Sequence, residues 1–192
     1  MAQDHIIWSC QCGEVEARLQ PVTGTRCVCY CASCQAFLRH LGQGDLADAQ
    51  GGSDLFQTTP DRVTFSKGLE KLEALQLTEK GPIRWSTTCC KTPVCNTGAK
   101  RFIPLASFLV AGIDEPGRLP DILARINRRD ATGRVDGEAG SMRRLVLTFL
   151  ARALPVLLTG RFRKTPFFDA RGVPIRPVAR LTPEETRAAY GG

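Results

Sequence analysis

The nine cysteines of this chain fall into three short clusters, and this spacing constrains the fold more than any other feature. Cys10 and Cys12 form the first cluster, residues 27–34 form the second as a C-x-C-x-C-x-x-C run, and residues 89–95 hold the third. Disulfides between cysteines this close in sequence would close small, strained rings. Thiolates that converge on one cation fit the spacing better, so the sequence predicts metal binding.

Zinc is the expected metal, at one or two Zn²⁺ ions per chain. It accepts thiolates in a tetrahedral shell and needs no redox chemistry to do so. An iron–sulfur cluster is the main chemical alternative, and free or disulfide-bonded cysteines are the alternative to any metal.

The composition indicates a folded chain in a reducing compartment. The 43% hydrophobic share of 192 residues is enough for one packed domain with a helical appendage. Residues 1–8 lack a basic stretch followed by an apolar run, so we expect no secretory signal. Together with the many thiols, this favours a cytoplasmic location.

Positive charge is concentrated in the last part of the chain. Residues 1–117 carry 11 Lys+Arg against 12 Asp+Glu, whereas residues 118–192 carry 15 against 7. Such asymmetry can mark a face that binds nucleic acid or an anionic membrane. Because no aromatic interleaving or nucleic-acid motif accompanies the arginines, we expect a solvated helical surface and no nucleic-acid partner.

Residues 6–90 have the pattern of short antiparallel strands interrupted by cysteine clusters. Val15, Ala17 and Leu19 alternate with charged residues, as in a half-buried strand. A short helix is expected after Cys34, over residues 35–41. Further strands are predicted at residues 26–30, 55–58, 62–66, 75–78 and 82–86.

Residues 118–192 are predicted to form a basic α-helical extension that packs on the β-domain. Helices are expected over residues 119–128 and 141–159, with a flexible loop over residues 133–140. A capping box at residues 182–185, with proline at the first helical position, predicts a short terminal helix.

The apolar segment 141–159 is too short for a membrane span, and Arg152 and Pro155 interrupt it. We therefore expect no transmembrane span and a helix docked on the sheet, with an interfacial membrane helix as the alternative. Phe167 and Phe168 are interpreted as an anchor for this docking.

Three motifs follow one another in a characteristic order: S-C-Q-C-G at residues 9–13, C-Y-C-A-S-C-Q at residues 29–35, and C-K-T-P at residues 90–93. This order resembles the glutathione-dependent formaldehyde-activating enzyme and centromere protein V family, over about residues 5–115. Within that family the chain looks most like a bacterial branch, one mark of which is Arg84-Trp85 before the paired cysteines.

The resemblance implies a mainly β fold, a zinc-stapled antiparallel β-sandwich-like domain over residues 1–117, with two metal positions. The structural position would be held by Cys10, Cys12 and Cys90. The second metal would be held by Cys29, Cys31 and Cys34, near the place where glutathione binds in the formaldehyde-activating members.

The chain departs from the family pattern at three places. Thr87 stands where the family has an additional late cysteine, Lys91 replaces a glycine, and Tyr30 replaces a frequent histidine. The fourth structural ligand stays open between Cys89, Cys95 and a water molecule. The resemblance therefore implies the fold more strongly than it implies glutathione-dependent chemistry.

A zinc ion held by three thiolates keeps an open coordination position, as catalytic zinc sites do. It could bind a small thiol or polarise a carbonyl, which predicts a carbon–sulfur lyase-like activity on thiol–aldehyde adducts. Cys27 lies on the same strand face as Cys29 and could close the site instead. The alternative function is a non-catalytic zinc module that binds a protein, nucleic acid or membrane through the arginine-rich tail. Catalytic residues and the oligomeric state are not predicted.

Overall fold

The computed structural model describes residues 5–20 and 24–191. Residues 1–4, which belong to the segment 1–8 used for the cytoplasmic prediction, lie outside these ranges. Within these ranges the chain is mainly β, with eleven strands and three α-helices. The strands are β1 (Ile6–Ser9), β2 (Glu16–Leu19), β3 (Thr25–Cys29), β4 (Ser53–Thr58), β5 (Val63–Lys67), β6 (Leu72–Gln76), β7 (Ile83–Thr87), β8 (Pro93–Thr97), β9 (Ala106–Leu109), β10 (Ile122–Ile126) and β11 (Val178–Arg180). The helices are α1 (Ala32–His40), α2 (Met142–Leu158) and α3 (Pro183–Tyr190).

The described strands form two sheets. The smaller sheet has the order β1-β2-β5, and the larger has the order β10-β3-β4-β9-β8-β7-β6-β11. Trp8 of the smaller sheet and Phe56, Trp85 and Phe108 of the larger one are fully buried in a shared hydrophobic core. The Trp8 and Phe108 rings meet edge to face at 6.1 Å, a favourable geometry for aromatic pairs. The predicted mainly β architecture is confirmed at this level.

The last part of the chain adds a strand to each edge of the larger sheet. β10 pairs with β3 and β11 pairs with β6, both in parallel, whereas the other pairs are antiparallel. The helix predicted over residues 119–128 is wrong, because residues 122–126 form β10. Leu119, Ile122 and Ile126 also fit a helical spacing, but pairing with β3 across the sheet decides the structure, as tertiary context often does. The division of the chain at residue 117 stays a prediction.

Ser141 caps the start of helix α2, and its side chain accepts a hydrogen bond from the Arg144 backbone N–H. It packs on β10, with Leu145 buried in one apolar cluster with Ala124. The capping box predicted at the start of α3 is present, with Thr182 and Glu185 exchanging hydrogen bonds. In residues 5–20 and 24–191, none of the helices combines the length and hydropathy that crossing a bilayer requires.

The predicted aromatic anchor lies in the main core. Phe167 is 0% exposed, and its ring centroid lies 5.2 Å from that of Trp85 and 5.8 Å from that of Phe65. Phe168 is buried in the same cluster. The C-terminal part of the chain therefore contributes side chains to the core between the two sheets.

Candidate metal centres

Four cysteines from two turns form what we call the first cysteine group. Cys10 and Cys12 lie in the turn between β1 and β2, and Cys89 and Cys90 lie in the turn between β7 and β8. The four Sγ atoms all lie within 4.8 Å of one another. A group of this kind could hold a metal ion.

The spacing of the first cysteine group is compatible with tetrahedral coordination. Four sulfurs about 2.3 Å from a zinc ion would lie about 3.8 Å from one another. The Cys10–Cys12 Sγ distance is 3.5 Å, the Cys12–Cys89 distance is 3.3 Å, and the Cys10–Cys89 distance is 4.0 Å. The Cys89–Cys90 distance is 3.7 Å. The donor set fits a zinc-sized ion, whose identity stays a prediction.

The tight turn after β7 brings two consecutive cysteines to one cluster. Lys91 has a φ of 55°, in the left-handed region that a glycine adopts without strain. Its N–H donates to the Thr87 carbonyl at 3.0 Å and so closes the turn around Cys89 and Cys90. Of the alternatives for a fourth ligand, Cys89 lies in the group, whereas Cys95 lies on β8 in the hydrophobic core.

Hydroxyl groups surround the Cys90 sulfur. Thr87 Oγ1 lies 3.4 Å and Thr92 Oγ1 lies 3.1 Å from Cys90 Sγ. Burial raises the pKa of Cys90, but hydrogen bonds from these hydroxyls and from groups of Cys12 outweigh it and lower the pKa to about 5. Burial, followed by the hydrogen bond to Cys12, raises the pKa of Cys89 to about 12. In the metal-free group, therefore, Cys90 is the thiolate and Cys89 keeps its proton.

The second cysteine group comprises Cys29, Cys31 and Cys34, whose Sγ atoms all lie within 4.8 Å of one another. Cys29 ends β3, Cys31 directly precedes α1, and Cys34 lies in the first turn of α1. The amino end of a helix carries a partial positive charge, which stabilises a thiolate there. The predicted strand-to-helix order of this motif is thus what brings its three sulfurs together.

Two side chains from distant parts of the chain contact the second group. Arg84 Nη1 lies 3.8 Å from Cys34 Sγ, and the Asn127 amide donates to Cys29 Sγ at 3.3 Å. Arg84 is only 3% exposed and is held by Ser33 Oγ at 2.6 Å and Asn96 Oδ1 at 3.1 Å. A buried cation and an amide donor beside the sulfurs both favour the thiolate form.

Charge within the second group is concentrated on one sulfur when no metal is bound. Hydrogen bonds from the Cys29 and Cys34 side chains lower the pKa of Cys31 to about 2. The pKa of Cys29 is raised, first by the same hydrogen bonds with Cys31 and Cys34 and then by burial. Cys31 is therefore the thiolate of the group, and the thiols of Cys29 and Cys34 donate hydrogen bonds to it.

A small pocket opens beside Cys34, with a cavity volume of about 20 Å³. Arg84, Cys95 and the apolar side chains of Phe37 and Leu109 line it with Cys34. A volume of this size accommodates about one water-sized group.

Cys27 belongs to the same apolar cluster as Cys29, but in the part of the chain that the structure describes the second group includes only the other three cysteines. Burial raises the pKa of Cys27 to about 12.

Tyr30, which stands in the place of a frequent family histidine, donates its hydroxyl hydrogen to Asp48 Oδ2 at 2.8 Å.

Sequence analysis found the cysteines but not the groups that surround them. In the sequence Arg84 stands out only as a mark of the family resemblance, and Asn127 lies within the helix predicted over residues 119–128. Thr87 was noted only as a departure from the family pattern. The signal that could have identified Arg84 is a positively charged residue in an otherwise uncharged strand that leads to a cysteine cluster.

The fold and the site define a mainly β protein with two cysteine groups that could hold a metal ion. The chain belongs to DUF6151, a family of unknown function whose model matches residues 3–179. It is similar to a structural-genomics crystal structure of a Rhodobacter sphaeroides protein, at 17% sequence identity and a TM-score of 0.40, over 56% of this chain and 87% of that one. A search of curated proteins found no match. The resemblance to the formaldehyde-activating family stays a prediction.

Proposed function

We propose that the second cysteine group holds a zinc ion with an open coordination position, and that this site binds a small thiol or its adduct with an aldehyde. One observation carries the proposal: of three convergent sulfurs, that of Cys34 lines a pocket, and no fourth cysteine, histidine or carboxylate joins the group in residues 5–20 and 24–191. A zinc ion bound there would supply a Lewis acid for a thiol sulfur or a carbonyl oxygen.

The proposed reaction is the addition of a thiol to an aldehyde, or its reversal. The thiol sulfur forms a bond to the carbonyl carbon, and the thiol proton ends on the carbonyl oxygen. The reverse reaction breaks the carbon–sulfur bond and returns the proton to sulfur. This is carbon–sulfur lyase-like chemistry, and it balances without an oxidant or reductant.

Arg84 is the residue that would orient a ligand at this site. Its buried guanidinium lines the pocket beside Cys34, and contacts with Ser33 and Asn96 fix its position. A fixed cation there would attract the negative charge that develops on an aldehyde oxygen or is carried by a thiol sulfur. Because the cavity has room for about one water-sized group, it favours the smallest aldehyde, formaldehyde, and the rest of a thiol such as glutathione would lie outside it.

The first cysteine group is proposed to be a closed, structural zinc site. Its four sulfurs leave no ligand position free in a tetrahedral shell, as in other structural zinc sites. It would join the β1–β2 turn to the β7–β8 turn, which are about eighty residues apart in the sequence. The resemblance supports this division into one structural site and one second site.

The experiment is metal analysis of the full chain combined with thiol titration. Elemental analysis after anaerobic purification should find two zinc ions per chain, and Cys34→Ser should retain one. Calorimetric titration with glutathione and with 2-mercaptoethanol should show binding to the wild-type protein and none to Cys34→Ser. Cys27→Ala is the matched control, since it removes a neighbouring sulfur from the same strand, and it should keep both zinc ions and thiol binding.

Three results would contradict the proposal. A visible iron–sulfur chromophore or metal-free protein would exclude zinc at these groups. Loss of the second zinc in Cys27→Ala would mean that Cys27 closes the site. Two zinc ions without thiol binding would favour the alternative, a non-catalytic zinc module.

A further inference from the structure

Helix α2 exposes apolar side chains to solvent on the side that faces away from the protein. Leu147 is 61%, Leu154 57% and Leu158 78% exposed, whereas Leu145 and Val156 on the opposite side are buried. Of ten large hydrophobic residues exposed in the described part of the chain, seven belong to this helix: Met142, Val146, Leu147, Leu150, Leu154, Leu157 and Leu158. We call these seven residues the exposed face of α2.

The exposed face forms a continuous stripe rather than scattered positions. Leu147, Leu150, Leu154 and Leu157 follow one another at spacings of three and four residues, so they are neighbours on one side of the helix. The helix of 17 residues is about 25 Å long at 1.5 Å per residue. Contiguous apolar surface of this extent marks an interaction site in a soluble domain.

Positive charge lies at both ends of this stripe. Residues 139–168 contain six Lys or Arg residues and no Asp or Glu. Arg143 and Arg144 are exposed in the first turn of α2, and Arg163 and Lys164 are exposed just after its end. A partner that covers the stripe must therefore be apolar at its centre and negatively charged along its margins.

We propose that the exposed face of α2 binds the surface of an anionic lipid bilayer. The leucines would enter the boundary between head groups and acyl chains, and the basic residues at the helix ends would contact the anionic head groups. The helix would lie parallel to the bilayer plane with its buried side still packed on β10. This inference is independent of the metal sites.

Charge complementarity favours a bilayer over a second copy of the chain, and apolar surface favours it over nucleic acid. In a pair of α2 helices from two copies of this chain, parallel or antiparallel, the cationic ends of one copy would meet the cationic ends of the other. Like charges in such positions oppose association. Nucleic acid would satisfy the cations but would leave seven apolar side chains without an apolar partner.

The test is co-sedimentation of the full chain with vesicles of 30% phosphatidylserine in phosphatidylcholine, and with vesicles of phosphatidylcholine alone. We expect binding to the anionic vesicles at 50 mM salt and much weaker binding at 500 mM salt. The double variant Leu150→Gln/Leu154→Gln should bind about 100-fold more weakly, because each leucine loses the transfer of its side chain out of water. Both positions are more than half exposed, so the variant should keep its fold. Phe102→Gln is the matched control, since Phe102 is 58% exposed outside α2, and it should bind like the wild type.

The charge contribution is tested separately. Arg163→Gln/Lys164→Gln should weaken binding to anionic vesicles about 30-fold, since each basic residue near an anionic surface contributes about fivefold. Arg129→Gln/Arg134→Gln removes two exposed charges outside residues 139–168 and should change binding less than threefold.

Four outcomes would overturn the proposal. Absence of the full chain from anionic vesicles at 50 mM salt would be the first, and wild-type affinity in Leu150→Gln/Leu154→Gln would be the second. A concentration-dependent dimer that this variant abolishes, without vesicle binding, would assign the face to a second copy of the chain. Binding to DNA that is as tight as binding to vesicles and insensitive to the leucine substitutions would assign the basic residues to nucleic acid.

Discussion

Replacing Phe167 by alanine tests whether the C-terminal part of the chain belongs to the main core. The side chain is 0% exposed and packs between the rings of Trp85 and Phe65, at centroid distances of 5.2 and 5.8 Å. Truncating a fully buried phenylalanine costs about 3–5 kcal/mol, from the lost transfer of the ring and the cavity left behind. Since a domain is stable by about 5–15 kcal/mol in total, Phe167→Ala should remove a large share of the free energy of unfolding.

The assay is urea unfolding followed by intrinsic tryptophan fluorescence, at a fixed concentration of free zinc. With a slope of about 2 kcal/mol per molar urea, the midpoint should fall by about 1.5–2.5 M. Phe102→Ala is the control, because Phe102 is 58% exposed, and it should change stability by less than about 0.5 kcal/mol. Equal midpoints for the two variants would refute the view that residues after 117 fill the core.

Three further predictions concern the cysteine groups. Cys12→Ser should lower the yield of folded, zinc-containing protein, whereas Cys34→Ser should keep a cooperative transition in a thermal melt. Equal loss of folding in the two variants would indicate that both groups are structural. Lys91→Gly should be more stable than Lys91→Ala by about 1 kcal/mol, because both lose the same side chain but only glycine adopts the left-handed φ of 55° without strain. In the metal-free protein, alkylation of Cys90 should change little between pH 6.5 and 9, since its pKa is about 5. Thr87→Val, which removes a hydroxyl hydrogen bond, should raise that pKa and make alkylation rise with pH.

The lowered pKa of Cys90 also fixes the sign of its contribution to stability in the metal-free protein. The value of about 5 in the folded chain lies below the ordinary value of 9.0. The thiolate therefore adds stability that is fully present above pH 9, and this contribution is lost as the pH falls through about 5. A urea midpoint that rises between pH 8 and pH 5 would contradict this assignment.

Secondary-structure elements whose sequence signal lies within a few neighbouring residues could be predicted from the sequence alone. The alternation of Val15, Ala17 and Leu19 predicted β2, and the capping box predicted α3, because both signals lie within a few neighbouring residues. Most of the predicted strands between residues 26 and 86 lie within a few residues of the observed ones. The three cysteine clusters were read directly from short motifs, and their division into two groups was implied by the family resemblance.

Long-range pairing could not be predicted in the same way. β10 is a strand because β3 lies beside it, and nothing in the sequence of residues 119–128 distinguishes this from a helix. Arg84 reaches the second cysteine group because β7 passes close to α1, and Asn127 reaches it because β10 pairs with β3. The choice of Cys89 over Cys95 depends on the left-handed backbone of Lys91, and the sequence signals it only through the glycine that the family resemblance has at this position.

The two parallel edge strands have a consequence for synthesis of the chain on the ribosome. β10 completes one edge of the larger sheet, but the other edge, along β6, stays open until β11 has been made. Residues 127–180 take about 3–11 s to be translated at 5–20 residues per second. During this interval the free N–H and C=O groups of β6 can pair with a strand of another nascent chain. Slow translation of residues 127–180 should therefore increase aggregation, and a chain released before residue 178 would keep that edge open permanently.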